Sequence, residues 1–238
     1  MNLLSRTVSL LGMALAIGCS PRLAVAAPAA TAVLNFSDLG SHAADQPAIA
    51  RIVAQGIMSP VSPGAFEPDA PVSRGDFVVS IQHMLTLKAP AQPPVFGDVP
   101  PTNKVHGALA ATAPYMNRQL LCVGYVLGTN FQADEPIGRG LVAITLVNAL
   151  IARKQIELVT VADADKALTN VADANLLSAP ARQYLATALT NGIPTLRPGN
   201  EIAAGSAMTR DEFAVMLDRV QQNFKIAPIR PTTSPAPK

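Results

Sequence analysis

The sequence carries one helix-start motif three times, and this internal repetition constrains the possible folds more than any other feature of the chain. Ser73-Arg74-Gly75-Asp76-Phe77 recurs as Thr209-Arg210-Asp211-Glu212-Phe213, and Gly138-Arg139-Gly140-Leu141 is a looser copy between them. The similar segments at residues 66–72 and 131–137 each begin eight residues before the arginine that follows them. A shared register of this kind indicates a duplicated structural unit.

A second motif opens each copy. Phe36-Ser37-Asp38-Leu39 recurs as Phe96-Gly97-Asp98-Val99, and Leu168-Thr169-Asn170-Val171 is a weaker third copy. Together the two motifs divide the chain into three predicted repeats, at residues 35–88, 95–153 and 167–224.

Each repeat has the pattern of a helix, a loop and a second helix. In the first copy, Pro47 suits the first turn of a helix, and Ile49, Ile52 and Val53 place apolar side chains on one face. Gly56 then ends the helix, because glycine adopts the left-handed conformation at little cost. One helix pair buries too little apolar surface to be stable alone, so the copies are expected to pack around a shared core. The sequence therefore predicts an all-α fold.

The second helix of the first and third copies begins with a capping signal. Ser73 and Asp76 have capping-box spacing, as do Thr209 and Glu212. The hydroxyl accepts a hydrogen bond from a backbone N–H of the first turn, and the acid accepts one from the N–H of the cap residue. Gly138 has no hydroxyl, so we expect the middle helix start to be weaker by a few tenths to about 1 kcal/mol.

The first residues are typical of an export signal. The apolar run at residues 7–18 is too short to span a bilayer of about 30 Å but has the length of a signal-peptide core. Ala24-Val25-Ala26 fits ordinary signal peptidase and predicts a signal peptide at residues 1–26. Alternatively, Leu15-Ala16-Ile17-Gly18-Cys19 is similar to a lipoprotein signal, which would end at residue 18 and leave Cys19 lipidated. A retained N-terminal anchor is the third alternative.

The charge balance limits the classes of partner that the mature protein is expected to bind. The chain has 18 basic and 16 acidic residues, and cleavage after Ala26 removes Arg6 and Arg22 and no acid, which leaves 16 of each. A formal net charge of zero argues against nucleic acid or an anionic membrane surface as the main partner. The membrane becomes a partner only if Cys19 is lipidated.

Three further segments are interpreted as structural and not as binding sites. Cys122 lies between apolar neighbours and is expected to be buried packing material. The acidic stretch with Asp163 and Asp165 is interpreted as a solvated linker before the third repeat. Residues 225–238 are rich in proline and predict a flexible tail.

The sequence contains no arrangement typical of catalysis. It lacks a Ser/His/Asp set in nucleophile-elbow context, a glycine-rich phosphate loop and a metal cluster. His42, His83 and His106 do not have the spacing of metal ligands. We therefore predict no catalytic residues, no cofactor and no metal, and a protein that is not an enzyme.

The combined motifs resemble the S-layer homology repeat. The order is Phe-x-Asp-Val, an apolar helix, Gly-Ile, a loop of the type Phe-x-Pro-Asp-x-Pro-Val, and Thr-Arg-x-Glu-Phe, and the resemblance covers about residues 35–222. It implies three degenerate repeats packed as a pseudo-threefold helical unit. It also implies an exported protein of the periplasm, cell wall or cell surface, which binds a cell-wall polysaccharide or other peptidoglycan-linked glycan in grooves between repeats.

The resemblance also implies which residues bind the glycan. The motif arginine grips a negative group on the polysaccharide, often a pyruvate ketal, and this role falls on Arg74, Arg139 and Arg210. A guanidinium near a helix start suits a carboxylate, because its planar fork and the free N–H groups of the first turn both favour an anion.

One alternative remains open at the level of sequence. The chain has no tryptophan where the family has an aromatic residue in the first helix, and the middle copy lacks the threonine and glutamate of the motif. These departures favour an envelope structural protein, or a protein–protein scaffold with envelope proteins as partners, that kept the repeat fold and lost glycan binding.

Overall fold

The computed structural model describes residues 34–116, 130–193 and 196–229. The predicted export signal, Cys19, Cys122 and residues 230–238 of the proline-rich tail lie outside these ranges. Within them the predicted all-α fold is confirmed, since they contain seven α-helices and no β-strand beyond isolated bridges. The helices are α1 (Gln46–Ala54), α2 (Arg74–Leu85), α3 (His106–Thr112), α4 (Arg139–Ala152), α5 (Val161–Ala167), α6 (Ala179–Thr190) and α7 (Arg210–Asn223).

The chain enters and leaves α1 as local sequence predicts. Pro47 lies in the first turn, where its missing N–H costs no helical hydrogen bond. Gly56 follows the helix in the left-handed conformation, with φ of 66°, and Gly192 has the same φ after α6.

The acidic stretch before the third predicted repeat is solvated, since Asp163 and Asp165 are exposed, but its interpretation as a linker is wrong. Residues Val161–Ala167 form α5, which packs against α6. The hydroxyl of Thr160 caps this helix by accepting a hydrogen bond from the N–H of Asp163 at 3.2 Å. The spacing of Thr160 and Asp163 is the same capping signal that marks α2 and α7.

The helices pair between the predicted repeats. The first helix of the first predicted repeat, α1, packs on α7 of the third. In the same way α3 packs on α2, and α6 packs on α4. The first helix of each predicted repeat, which is α1, α3 or α6, therefore packs against the second helix of another predicted repeat.

Three core residues, one from each predicted repeat, are joined by backbone hydrogen bonds. The N–H of Val72 donates to the carbonyl of Met208, that of Met208 to Ile137, and that of Ile137 to Val72, each at 2.9 Å. All three side chains are almost completely buried. This closed ring of hydrogen bonds satisfies backbone groups that would otherwise be unpaired in the core.

Aromatic side chains pack in pairs in the core. Phe77 of α2 and Phe213 of α7 are fully buried, with ring centroids 6.1 Å apart in a tilted arrangement. Two further tilted pairs each join a phenylalanine of an opening motif to one in the following loop. The ring centroids are 5.5 Å apart for Phe36 and Phe66 and 5.6 Å apart for Phe96 and Phe131.

Among the described residues, no helix combines the length and the apolar character that crossing a bilayer requires.

Candidate functional site

The three arginines predicted to bind a ligand each begin a helix, and all three are buried. Arg74 is the first residue of α2, Arg139 of α4 and Arg210 of α7. Their exposed fractions are 6, 3 and 8%. In each case the preceding residue is extended, so the chain turns at the arginine and directs its side chain into the protein.

The three guanidinium groups make equivalent hydrogen bonds. Each donates to a backbone carbonyl of another predicted repeat, and the acceptor lies eight residues before the arginine of that repeat. The bonds are Arg74 Nη1 to Phe131 O (2.9 Å), Arg139 Nε to Ile202 O (3.0 Å) and Arg210 Nε to Phe66 O (2.7 Å). Carbonyl dipoles therefore partly offset the burial of each charge, and each arginine fastens its helix to the loop of another predicted repeat.

Arg139 is paired with a carboxylate. Its Nη1 lies 2.6 Å from Oε1 of Glu212, and Nε of Arg197 lies 2.8 Å from the same oxygen. Burial alone would raise the pKa of Glu212, but the two guanidinium groups outweigh it and lower this pKa to about 2. Glu212 therefore neutralises much of the charge that Arg139 could offer to an anionic ligand.

Arg210 has a different environment. Its Nη2 donates to the carbonyl of Ser59 at 2.7 Å, and its guanidinium carbon lies 4.7 Å from the centroid of the Phe66 ring. Burial lowers the pKa of Arg210, and the negative charge of Asp76 is the largest opposing influence. Within the described part of the chain no carboxylate forms an ion pair with Arg210, and the negative charges of Asp76, Glu67 and Asp38 act on it without direct contact.

Arg210 lines a groove of about 250 Å³. The loop at residues 56–61, which follows α1, forms one side, and Asp76, Val79 and Ser80 of α2 form the other. The first predicted repeat therefore supplies nine of the ten lining residues, and the third supplies Arg210. Val79 is 39% exposed at its rim, so the site offers apolar contact beside a buried guanidinium and can hold an anionic group carried on a larger, partly apolar molecule.

Arg74 contacts the loop of the middle predicted repeat. Besides the carbonyl of Phe131, its Nη1 donates to Oε1 of Gln132 at 3.1 Å. In the sequence, Gly124-Tyr125 corresponds to Gly56-Ile57 of the first predicted repeat, and these residues lie outside the described ranges.

The predicted cap residues lie at the helix starts. Oγ of Ser73 accepts a hydrogen bond from the N–H of Asp76 at 3.0 Å. At α7 both halves of the capping box are present, because Oγ1 of Thr209 accepts from the N–H of Glu212 and Oε2 of Glu212 accepts from the N–H of Thr209. Gly138 supplies no side-chain cap to α4.

Three carboxylates hold the loops that the arginines contact. Each accepts hydrogen bonds from two consecutive backbone N–H groups, at distances between 2.6 and 3.0 Å. The donors are Phe66 and Glu67 for Asp38, Phe131 and Gln132 for Asp98, and Ile202 and Ala203 for Asp173. The N–H groups of Glu67 and Phe66 lower the pKa of Asp38.

Sequence reasoning missed the third of these carboxylates. It placed the third opening motif at Leu168-Thr169-Asn170-Val171, but Asp173 makes the contacts, three residues after Asn170. The signal was present in the spacing, since Asp173 precedes Ile202 by 29 positions and Asp38 precedes Phe66 by 28. Val171 and Ile202 replace the two phenylalanines of the first copy, and this loss of aromatic residues concealed the match.

Comparison with known families identifies part of the chain. The family model for the S-layer homology domain matches residues 35–78, from the opening motif to the middle of α2, and this segment includes Arg74. No curated protein matches the chain. S-layer homology domains mediate attachment to cell walls and are binding modules. The match therefore supports a protein of the cell envelope with a binding role.

Proposed function

We propose that the mature protein is a non-catalytic attachment protein of the cell envelope. In this proposal three S-layer homology repeats, at residues 35–88, 95–153 and 167–224, pack as a pseudo-threefold unit. A groove between repeats binds an anionic, peptidoglycan-linked cell-wall polysaccharide. The observation that carries the proposal is the buried guanidinium of Arg210, which lines a groove and has no ion-pair partner among the described residues.

Support for three repeats comes from contacts that recur in the same register. Each second helix begins with an arginine bonded to another repeat, and each loop is held by one aspartate. The contacts run from the first repeat to the second, from the second to the third, and from the third back to the first. A closed cycle of this kind is what a pseudo-threefold arrangement requires.

Support for an anionic ligand comes from a hydrogen-bond donor of Arg210 that is available to a ligand. Its Nε and Nη2 donate to backbone carbonyls, and no acceptor for Nη1 is found in the described ranges. A carboxylate bound there would form a charge-assisted hydrogen bond with a group that is already desolvated. A pyruvate ketal on a sugar supplies such a carboxylate together with a methyl group, and Val79 offers the methyl group an apolar contact.

The three arginines are not equivalent in this proposal. Glu212 already neutralises Arg139, so the groove beside Arg210 is the main site. A single partly exposed ion pair contributes little. Strong attachment to the wall therefore depends on many protein molecules, or many sugar repeats, binding at once.

The test places a negative charge in the groove without removing a structural side chain. We expect Val79→Glu to weaken binding to isolated cell-wall sacculi by about tenfold, equal to about 1.4 kcal/mol, because the new carboxylate repels the anionic glycan. Binding is measured from the fraction of purified protein that pellets with the sacculi over a range of sacculus concentrations.

The matched control is Val95→Glu, which makes the same substitution at an exposed residue, 84% accessible, that does not line the groove. It is expected to pellet like the wild type. Equal pelleting of Val79→Glu and Val95→Glu would show that the groove does not bind the glycan.

Export is part of the same proposal and has its own test. Ordinary processing of residues 1–26 leaves Ala27 as the N-terminal residue, whereas lipoprotein processing leaves a modified Cys19. We expect mass spectrometry of protein from the producing cells to find Ala27. A lipid-modified Cys19 would replace this with membrane anchoring, and an intact Met1 would contradict export by cleavage.

A second function is favoured by one observation. All three guanidinium groups donate to backbone carbonyls, as they would in a scaffold that kept the repeat fold and lost glycan binding. A scaffold of this kind would not pellet with sacculi and would be cross-linked to an envelope protein in intact cells.

A further inference from the structure

His42 lies between two carboxylates where the first and third predicted repeats meet. It belongs to the short 3₁₀ helix Gly40–Asp45, which precedes α1. Its Nδ1 is 3.1 Å from Oδ2 of Asp211 in the first turn of α7, and its Nε2 is 2.9 Å from Oδ1 of Asp69. One potential ligand atom from each of His42, Asp45 and Asp211 lies within 4.8 Å of the other two.

Asp211 is the unusual member of this cluster. The residue is 7% exposed, and within the described ranges its Oδ1 has no hydrogen-bond partner. A buried carboxylate oxygen without a partner is unfavourable and calls for an explanation. The neighbouring Arg210 does not satisfy it, because that guanidinium is directed to the carbonyls of Phe66 and Ser59.

Asp45 brings a second carboxylate to the same place. It is the residue before α1, yet its side chain makes no capping hydrogen bond with the helix. Two carboxylates and one imidazole therefore converge on a partly buried position, and a cation would offset the repulsion between the two acids.

We propose that His42, Asp45 and Asp211 form a binding site for one divalent transition-metal ion, with Zn²⁺ as the best match. Zinc binds nitrogen and carboxylate oxygen at about 2.0–2.2 Å in a tetrahedron, which places neighbouring ligand atoms about 3.3–3.5 Å apart. The 3.1 Å between His42 and Asp211 is close to this separation. The imidazole nitrogen favours Zn²⁺ over Ca²⁺ and Mg²⁺, which prefer oxygen ligands.

Asp69 has the place of an outer-shell partner. A histidine that binds a metal through one ring nitrogen donates its other N–H to a carboxylate or carbonyl, which fixes the ring and its tautomer. With Asp69 accepting from Nε2, the tautomer leaves Nδ1 as a ligand on the side of Asp211. The ion would tie the start of α1 to the start of α7, and this role does not depend on glycan binding.

The direct test is a titration of metal-free, full-length mature protein with Zn²⁺, followed by isothermal titration calorimetry and by the melting temperature. We expect one Zn²⁺ per chain and a rise in melting temperature. His42→Gln and Asp45→Asn are expected to bind Zn²⁺ at least about tenfold more weakly and to lose the rise. The control His83→Gln changes a histidine outside the cluster and is expected to bind like the wild type.

A second measurement does not depend on variants. Co²⁺ bound in place of Zn²⁺ is expected to give the intense visible absorption of a tetrahedral site. No stoichiometric Zn²⁺ binding by the wild type, wild-type affinity in Asp45→Asn, or equally strong binding of Mg²⁺ would each overturn the proposal. The first of these outcomes would leave His42 in contact with Asp69 and Asp211 without a metal ion.

Discussion

The carboxylate of Glu212 both caps a helix and forms ion pairs. It completes the capping box of α7 with Thr209, and it binds the guanidinium groups of Arg139 and Arg197. The first contact is local and follows from spacing in the chain. The second joins α7 to the start of α4 and to the loop before α7, and it makes the pKa of Glu212 fall to about 2.

We predict that Glu212→Gln lowers the free energy of unfolding by about 1–3 kcal/mol at neutral pH. Glutamine keeps the capping box, so the loss comes from the charge and leaves Arg139 buried without its carboxylate. The pKa is lower in the folded protein than the ordinary value of 4.5, so the stabilisation is fully present above that value and is lost as pH falls towards 2.

Urea unfolding of the wild type and the variant at about pH 7 and about pH 3 measures this effect. The difference between them is expected to shrink at the lower pH. Glu157→Gln, at an exposed position, is the control and is expected to have no effect at either pH. An equal difference at both pH values would mean that the charge of Glu212 does not stabilise the fold.

At the start of helix α4, close contact with a neighbouring segment influences the choice of residue more than helix propensity does. Gly140 is the second residue of α4, and its N–H donates to the carbonyl of Ala204 at 2.9 Å. A Cβ atom there would lie 3.0 Å from Cβ and 3.1 Å from the carbonyl oxygen of Ala204. A side chain at this position would therefore require Ala204 to shift by a few tenths of an ångström, which favours glycine although it is a poor helix former.

We predict that Gly140→Ala lowers the free energy of unfolding by about 1–2 kcal/mol, because overpacking against the backbone exceeds the gain in helix propensity. The matched change Gly107→Ala places a methyl group on α3 where no atom lies within 4 Å. It is expected to raise the stability by about 0.5–1 kcal/mol. Thermal unfolding of both variants tests the pair, and a stabilised Gly140→Ala would contradict the packing argument.

The whole molecule is held together by pairs of helices that are distant in the chain. Arg51 of α1 binds both carboxylate oxygens of Asp218 of α7, at 2.7 and 2.8 Å. The same two helices pack side by side, so the first predicted repeat needs the third to bury Ile49 and Ile52.

We therefore predict that a fragment of residues 34–88, which contains the segment matched by the S-layer homology model, is unfolded alone. Without α7 and α3, the apolar faces of α1 and α2 are exposed to water. Far-UV circular dichroism is expected to show little helix and no cooperative melting. The protein at residues 34–229 is the control and should melt cooperatively. Cooperative melting of the fragment would show that α1 and α2 do not need α7 and α3 in order to fold.

The sequence by itself determined the features that depend on near neighbours in the chain. The helix starts after Ser73 and Thr209, the left-handed turn at Gly56 and the all-α class follow from side chains and backbone groups within a few residues of each other. The repeated register also singled out the three arginines. The weaker copies were harder to see, as Asp173 and the capped helix after Thr160 demonstrate.

Only the tertiary structure decided which helices pair, where the arginines are directed and which acids they meet. An apolar face predicts burial, but not whether α1 packs on α2 or on α7. The bond from Arg210 to Phe66, the ion pair of Arg139 with Glu212 and the contact of His42 with Asp211 all join residues from different predicted repeats. Such contacts depend on how the loops close and on the shape of the whole core, and no local pattern in the chain encodes them.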